Sequence, residues 1–527
     1  MPTKDNLAQQ DLQGVAPSIY ARRWQILATM CACLLLVSIG NSSLNLALPT
    51  IARELKLTSL QLTWMVDIYA LIFASLLFVA SATADRYGRK LIMQIGLATF
   101  ISATLYAGFI AGTGTEIIIT RAIMGIGAAM VMPTTLSIIE NTFPKKERAR
   151  AIAIWSGVAG GGIALGSIIT GFLIEHYSWH SVFIFSASVG AVGFIVSQIL
   201  TPNSRDEHQT PVDWLSGLLS VIGLSGLVYG IIEAPSHGLS DVMVLASLAV
   251  GIAGLVAFVW RQLRIKHPML DMQLFKIPAF AISALSITLV FFALMGIFFS
   301  ISQLFQLVMG YGPMESSFRT LPIMMLMMLT APFVPNIVKR FGTRWTVTTG
   351  LILVATSFVI MSQWPVQPSY PQVLGSMLVM MTGMALTMTP ATNMLMSAIP
   401  RNRAGMGSAM NDTTRELGGA LGIAVLGAIL SSGYSTKIAG VISGIPTQAQ
   451  EIASSSLAGA LSVAEGMGSN GAGLAISAKA AWMGGLSHAM LIAAAIVAVA
   501  AVIAGLWLPH KHAEGADDEM LEPVIEA

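Results

Sequence analysis

Fourteen long apolar blocks separated by short polar segments dominate this chain of 527 residues. They lie near 24–48, 61–83, 91–112, 117–139, 152–174, 182–200, 214–232, 242–260, 279–309, 319–338, 345–362, 372–399, 405–430 and 481–508. A block of about 20 apolar residues matches the hydrocarbon thickness of a bilayer. Lipid offers no partner to a free backbone amide, so each block has to close its hydrogen bonds as a helix. The predicted fold class is therefore all-α, a polytopic membrane protein with 14 transmembrane helices. Charged residues are only 10% of the chain, against about 25% in soluble domains. The net charge of +2 sets up no global field for phosphate, which excludes a nucleic-acid partner. Cys31 and Cys33 stand two apart on one helix and point to different faces, so no disulfide framework or thiolate metal site follows.

The first block is longer than a signal-peptide core and lacks a small-residue cleavage pattern, so it reads as a retained span after a polar tail at 1–23. With that tail cytoplasmic, 21 of the 28 lysines and arginines fall in inside segments and four outside. This bias predicts a multi-pass protein of a bacterial cytoplasmic (inner) membrane with both termini inside. The longest hydrophilic insertion, 431–479, then lies outside and is expected to form a hairpin or mobile loop. The acidic segment 509–527 reads as a cytoplasmic tail.

The chain resembles itself at a shift near 255 residues. Arg86-Tyr-Gly88 recurs as Arg340-Phe-Gly342, Pro133-Thr-Thr135 as Pro390-Ala-Thr392, Pro144 as Pro400, and Gly162-x-x-x-Gly166 as Gly418-x-x-x-Gly422. Two six-helix repeats are predicted, 24–200 and 276–508, with a two-helix insert at 201–275. Paired repeats around a mid-membrane site are a recurrent transporter plan, with alternating access between them.

The loop after span 2 reads Ala84-Asp85-Arg86-Tyr87-Gly88-Arg89-Lys90. A carboxylate at a helix end can pair with a cation or cap a neighbouring helix, and Gly88 permits the tight turn. Here the chain resembles the major facilitator superfamily, whose signature is G-x-x-x-D-R/K-x-G-R-R/K; Ser81 replaces the first glycine. The resemblance implies a cytoplasmic gate of Asp85, Arg86, Gly88 and Arg89. Without it, the stretch reads as a positive-inside loop only.

Span 4 carries Arg121 in Thr120-Arg121-Ala-Ile-Met124-Gly125-Ile-Gly127. It either faces the interior, since a cation in lipid costs several kcal/mol unless paired or hydrated, or snorkels to the outer surface. The superfamily has R-x-x-Q-G-x-G here, with a suggested part in proton coupling; Met124 replaces the glutamine. Span 5 repeats small residues at Gly157, Gly162, Gly166 and Gly171, which let helices touch along their backbones. This resembles the antiporter signature G-x-x-x-G-P-x-x-G-G, which implies export, with Ser167 at the proline and Thr170 at one glycine.

Three acids fall inside spans. Asp67 lies about 10 Å from the outer surface at 1.5 Å per residue. Asp412 and Glu416 are four apart on one face of span 13, with Arg415 beside them. Such carboxyls are candidates to load and release protons; Arg415 with Glu416 can instead be a structural ion pair. Together with Trp64-Met-Val-Asp67-Ile-Tyr69, Glu175-His-Tyr-Ser-Trp179, Asp213-Trp214 and Glu416-Leu-Gly-Gly-Ala-Leu-Gly422, they make the chain similar to 14-span drug:proton antiporters that export quaternary ammonium antiseptics, dyes and methyl viologen. One departure concerns span 1. The acid usual nine residues before the A-L-P proline is Gly40 here, beside Asn41, whereas Asn45 and Ala47-Leu-Pro49 match. The resemblance places the substrate cavity at Asn41, Asn45, Trp64 and Tyr69. Methionines of span 10 (Met324, Met325, Met327, Met328) and span 12 (Met377, Met380, Met381, Met384, Met388, Met394, Met396) can line a soft cavity or fill a core.

The expected function is proton-coupled efflux of lipophilic, mostly cationic drugs, with protons as coupling ion and no cofactor or metal. The expected partners are the lipid bilayer and small-molecule drugs, with the monomer as the working unit. An exporter of a metabolite, lipid or neutral antibiotic on the same fold is the alternative. A membrane enzyme would need an HExxH, a nucleotide loop or a nucleophile motif, and the sequence has none.

Overall fold

The computed structural model describes residues 17–205, 213–238, 240–265, 268, 270–330, 333–398 and 404–509. The tail calls at 1–16 and 510–527 lie outside the described residues. Helices occupy every predicted block: α1 (Pro17–Leu55), α2 (Ser59–Tyr87), α3 (Arg89–Phe109), α4 (Gly114–Thr142), α5 (Lys145–His176), α6 (His180–Leu200), α7 (Trp214–His237), α8 (Val242–Gln262) and α9 (Pro278–Gln303). The chain continues through α10 (Pro313–Thr330), α11 (Val334–Phe341), α12 (Thr343–Ser362), α13 (Tyr370–Ser397), α14 (Ala404–Ile442), α15 (Thr447–Ser455), α16 (Leu457–Gly466) and α17 (Ala472–Trp507).

Among the described residues, twelve stretches are long and apolar enough to cross a bilayer. The twelve do not include the fifth and tenth blocks, both of which run through residues outside the described ones. The helices of these two blocks, α5 and α10, pack on one another.

The repeat seen in sequence is also a repeat of packing. α1 packs on α5 as α9 packs on α14, α3 on α4 as α12 on α13, and α3 on α6 as α12 on α17. A Cβ on Gly96 would stand 2.8 Å from the Gly127 carbonyl oxygen, and one on Gly127 would stand 2.7 Å from that of Gly96. In the other half the corresponding distances are 2.6 Å from Gly350 to Gly383 and 2.5 Å in return. The turn glycines recur as well, with Gly88 at φ 117° and Gly342 at φ 81°, a region that favours glycine. Two seams join the halves, α2 against α14 and α5 against α10.

The insert is a tight pair. Gly223 and Gly226 of α7 meet Gly254 and Gly251 of α8 backbone to backbone. At their inner end Arg261 forks onto Asp213, with its Nη2 2.8 Å from Oδ1. Burial pushes the Asp213 carboxyl up, but donors from Arg261 and Ser216 outweigh it and hold it below the usual carboxylate range. The same helix α7 also lies on α2 and α14, so the insert covers one seam.

The 431–479 segment is ordered into structure. α14 runs on to Ile442 because Tyr434, Ile438 and Ile442, four apart, are all buried. α15 and α16 follow as a helical hairpin whose apolar residues Leu457, Ala460 and Ala464 are buried. Tyr434 Oη donates to the Ala453 carbonyl at 2.7 Å, and Ser456 Oγ donates to that of Leu57 at 3.1 Å. The sequence reading of a hairpin holds, while that of a mobile loop is replaced by two docked helices.

Gly127→Val and Gly383→Val should each force a side chain against a neighbouring backbone and cost about 1–3 kcal/mol. The unfolding temperature of the detergent-purified protein should fall for both. Gly440→Ala, where no atom lies within 4 Å, should leave it unchanged.

Candidate functional site

Arg121 is buried at 0% exposure in the middle of the first half. Its Nη1 donates to the Gly40 carbonyl of α1 at 2.8 Å and its Nε to the Met65 carbonyl of α2 at 3.2 Å. The guanidinium lies over the Tyr69 ring, 4.2 Å from its centre. This removes the snorkelling reading. The side chain ties three helices of one half together through backbone oxygens and a π face, with no carboxylate paired to it among the described residues. Gly40 is part of that arrangement, because a Cβ there would stand 2.6 Å from Phe100 Cζ. The place that the resemblance assigns to an acid is filled by an aromatic ring.

Tyr69 is fully buried, its hydroxyl has no hydrogen-bond partner among the described residues, and it lies within electrostatic reach of both Arg121 and Glu416. It therefore stands between the cation of one half and the acids of the other. On α14, Asp412 is buried and Glu416 half-buried. Both feel the Arg415 charge, yet among the described residues neither forms an ion pair with it within 4.0 Å. Arg415 lies 5.6 Å from the centre of the Phe291 ring, with its Nε unpartnered. The structural ion pair is thus not made in this arrangement. Asp67 is fully buried on α2, and neither carboxyl oxygen has a hydrogen-bond partner among the described residues.

Of the four residues assigned to a substrate cavity, the three described side chains have separate surroundings. Asn41 lies outside the described side chains, and Asn45 is half-buried with its Oδ1 unpartnered. Trp64 is held by α7: its Nε1 donates to Glu233 at 3.0 Å. Tyr69 is covered by Arg121. Two small cavities lie nearby, one within the first half and one between the halves. One is lined by Gly40, Ser43, Met124 and Phe183, the other by Thr63, Gln303, Tyr434 and Trp482. Met377, Met380, Met381 and Met384 of α13 are core residues of the second half, at 0–1% exposure. Flexible, unbranched methionine is suited to filling such a core.

The gate loop is held locally. Arg89 Nε donates to Asp85 Oδ1 at 2.9 Å, one helical turn away, and Lys90 Nζ donates to the Gln198 carbonyl at 2.6 Å. Arg86 lies 5.6 Å from the centre of the Tyr87 ring. These contacts fasten the loop to the end of α6 in its own half. The facing segment 399–403 lies outside the described residues. Of the span 5 glycines, Gly162 packs on Ser38 and Leu35 of α1, and Gly166 is buried. Gly171 meets Met314 of α10 at the seam, where Ser317 Oγ donates to the Ser167 carbonyl at 2.8 Å. The surroundings of Gly157 lie outside the described residues.

Glu233 is the acid that sequence reading missed. Its block was ended at 232, which put Glu233 in a loop, but α7 continues to His237 and the side chain is buried at 8% exposure. An acid one residue past an apolar block, within a helix turn of it, was the available signal.

Residues 30–423 match the family described as the Major Facilitator Superfamily. The chain is 34% identical over 487 residues to the multidrug efflux pump LfrA of Mycolicibacterium smegmatis, covering 92% of this chain and 96% of that one. It is 30% identical to the methyl viologen resistance protein SmvA of Salmonella typhimurium, covering 94% and 99%. It is 27% identical to the tetracenomycin C resistance and export protein of Streptomyces glaucescens, covering 97% and 96%. Among solved structures, an inward-facing, unoccupied bacterial homologue of the human lysosomal transporter Spinster aligns with a TM-score of 0.66 at 18% identity, over 94% of this chain and 97% of that one; this likeness concerns the fold.

Gly40→Ala should push the Phe100 ring from its place and lower the unfolding temperature, at a cost of about 1–3 kcal/mol. Combined with Phe100→Leu, the loss should be less than the sum of the two single changes in a double-mutant cycle.

Proposed function

The chain belongs to the major facilitator superfamily and is a membrane transporter, not an enzyme; on that premise we propose that it exports drugs from the cell in exchange for protons. The observation that carries the reading is Asp67, a fully buried carboxyl with no partner among the described residues, on the helix that forms the seam with α14. An ionised carboxylate in such a place, without a donor, is expensive by several kcal/mol. A proton neutralises it and so does an organic cation, which makes the two ligands competitors for one group. Glu416 and Asp412 supply the matching acids on the opposite half, with Arg121 and Tyr69 between them.

The cycle is alternating access. A cation taken up from the cytoplasmic side is displaced at the other side by a proton, which then moves inward. A one-for-one exchange of a monocation for a proton moves no net charge and draws on the pH gradient; each further proton per cycle adds about 2.3 kcal/mol per 100 mV. Asp85, Arg86, Gly88 and Arg89 act at the inner mouth, and the small residues of α5 let the halves rock on α10. The protein works as a monomer in the cytoplasmic membrane with both termini inside and with protons as its only coupling ion. The names of LfrA and SmvA support drug export, and methyl viologen is a dication. A second reading, export of a neutral antibiotic or metabolite, is favoured by the absence of an acid at Gly40 and by the tetracenomycin C exporter among the relatives.

In proteoliposomes with an imposed pH gradient, Asp67→Asn should reduce proton-driven ethidium transport at least tenfold while the protein remains folded. Undiminished transport would remove Asp67 from coupling. A panel of cationic and neutral dyes, measured with and without a protonophore, separates the two substrate readings: loss of efflux confined to neutral dyes would favour the second.

A further inference from the structure

The insert contributes chemistry as well as length. Helix α7 lies against both seam helices, α2 and α14, and presents the buried Glu233 where they meet. Glu233 Oε1 accepts from Trp64 Nε1 at 3.0 Å, and Oε2 stands 3.3 Å from Nδ1 of His237, whose side chain is 57% exposed. One turn earlier on α7, Tyr229 sets its ring 5.7 Å from that of Trp64 at 47°. Apolar side chains of both seam helices and the insert, among them Leu60, Ile68, Val228 and Leu421, form the rest of the surround. Among the described residues no lysine or arginine pairs with Glu233.

A carboxylate that only had to accept the indole N–H could be a glutamine. Among the described residues the one ion-pair partner is His237, an exposed imidazole that carries charge only when protonated, so no permanent cation neutralises the acid. An acid beside two aromatic faces in an apolar wall matches the needs of a lipophilic organic cation: a counter-charge, π faces for the delocalised cation and a dry surround. We propose that Glu233, Trp64 and Tyr229 form a lateral binding site for an organic monocation, where the inserted helices meet the seam. The proposal rests on the efflux reading and gives it a substrate contact outside the two repeats. Trp64 precedes Asp67 by three residues on α2, a rise of about 4.5 Å, so occupancy of this site and protonation of Asp67 act on the same stretch of the same helix.

The test uses the full-length protein in nanodiscs, with tetraphenylphosphonium and its neutral analogue triphenylphosphine oxide measured by equilibrium dialysis. Glu233→Gln keeps an acceptor for Trp64 and removes the charge. It should weaken tetraphenylphosphonium binding at least tenfold, leave the oxide unaffected and leave the unfolding temperature unchanged. Tyr229→Leu should weaken the cation about threefold. Wild-type affinity for the cation in Glu233→Gln would overturn the site and leave Glu233 a helix-positioning acceptor. An equal loss of both probes, or an earlier melt, would overturn it likewise. If the wild type exports other drugs but does not bind tetraphenylphosphonium, the site falls and the efflux reading stands. If it exports nothing in the panel and binds neither probe, both fall.

Discussion

Hydrocarbon supplies no hydrogen-bond partner, and that scarcity governs how each polar group in this protein is placed. The backbone answers it by closing into helices. Arg121 answers it by reaching the carbonyls of Gly40 and Met65, which lie on other helices. A helix carbonyl already accepts one bond and keeps a second lone pair, so a buried guanidinium can be seated without a counter-ion. The consequence is rigidity: one side chain fixes α4 against α1 and α2, and the Tyr69 ring completes the seat. These contacts brace the first half internally.

The small residues follow from the same scarcity. With no hydrophobic gain from joining helices already in lipid, association depends on close packing. The glycine pairs of α3 with α4 and of α12 with α13 bring backbones within van der Waals range at equivalent places in the two halves. The seams are built differently. α5 and α10 meet where Gly171 lies on Pro313 and Met314, with two hydrogen bonds across the seam, Ser317 Oγ to the Ser167 carbonyl and the Met314 N–H to Glu175 Oε2, and α2 meets α14 with Thr63 beside Gly427. Within each half the paired glycines put backbone on backbone, whereas the seams mix side chains with backbone at Gly171.

Most of the architecture was legible because its cause is one-dimensional. Block length and the lysine and arginine bias are local properties of the chain, and the repeat is a fixed shift within it. Helix ends were less legible. A hydropathy block stops at the first polar residue, whereas α7 continues through Glu233 to His237 and α14 continues to Ile442 on buried residues spaced by four. The site was legible as residue types and not as pairings. Asp67, Arg121 and Glu416 were found as charges where lipid forbids them. That Arg121 takes carbonyls, that Asp85 closes on Arg89 within its own loop, and that Trp64 belongs to Glu233 depend on contacts between residues 4 to 169 apart. No pattern in the chain encodes them.

The placement of charge across α2 and α14 gives the seam its sensitivity. On one side stands Asp67, without a partner, and a cation satisfied by dipoles. On the other stand two acids and Arg415, close enough to feel one another and not joined. Neither side is neutralised by a contact inside its own half, so the field across the seam depends on what enters it. On the proposed exchange, a proton or a cation at any of these acids would alter the attraction between the halves and not only the local packing. Glu233 sets a further acid against the flank of α2, so on the same proposal the insert would add a third element to that balance.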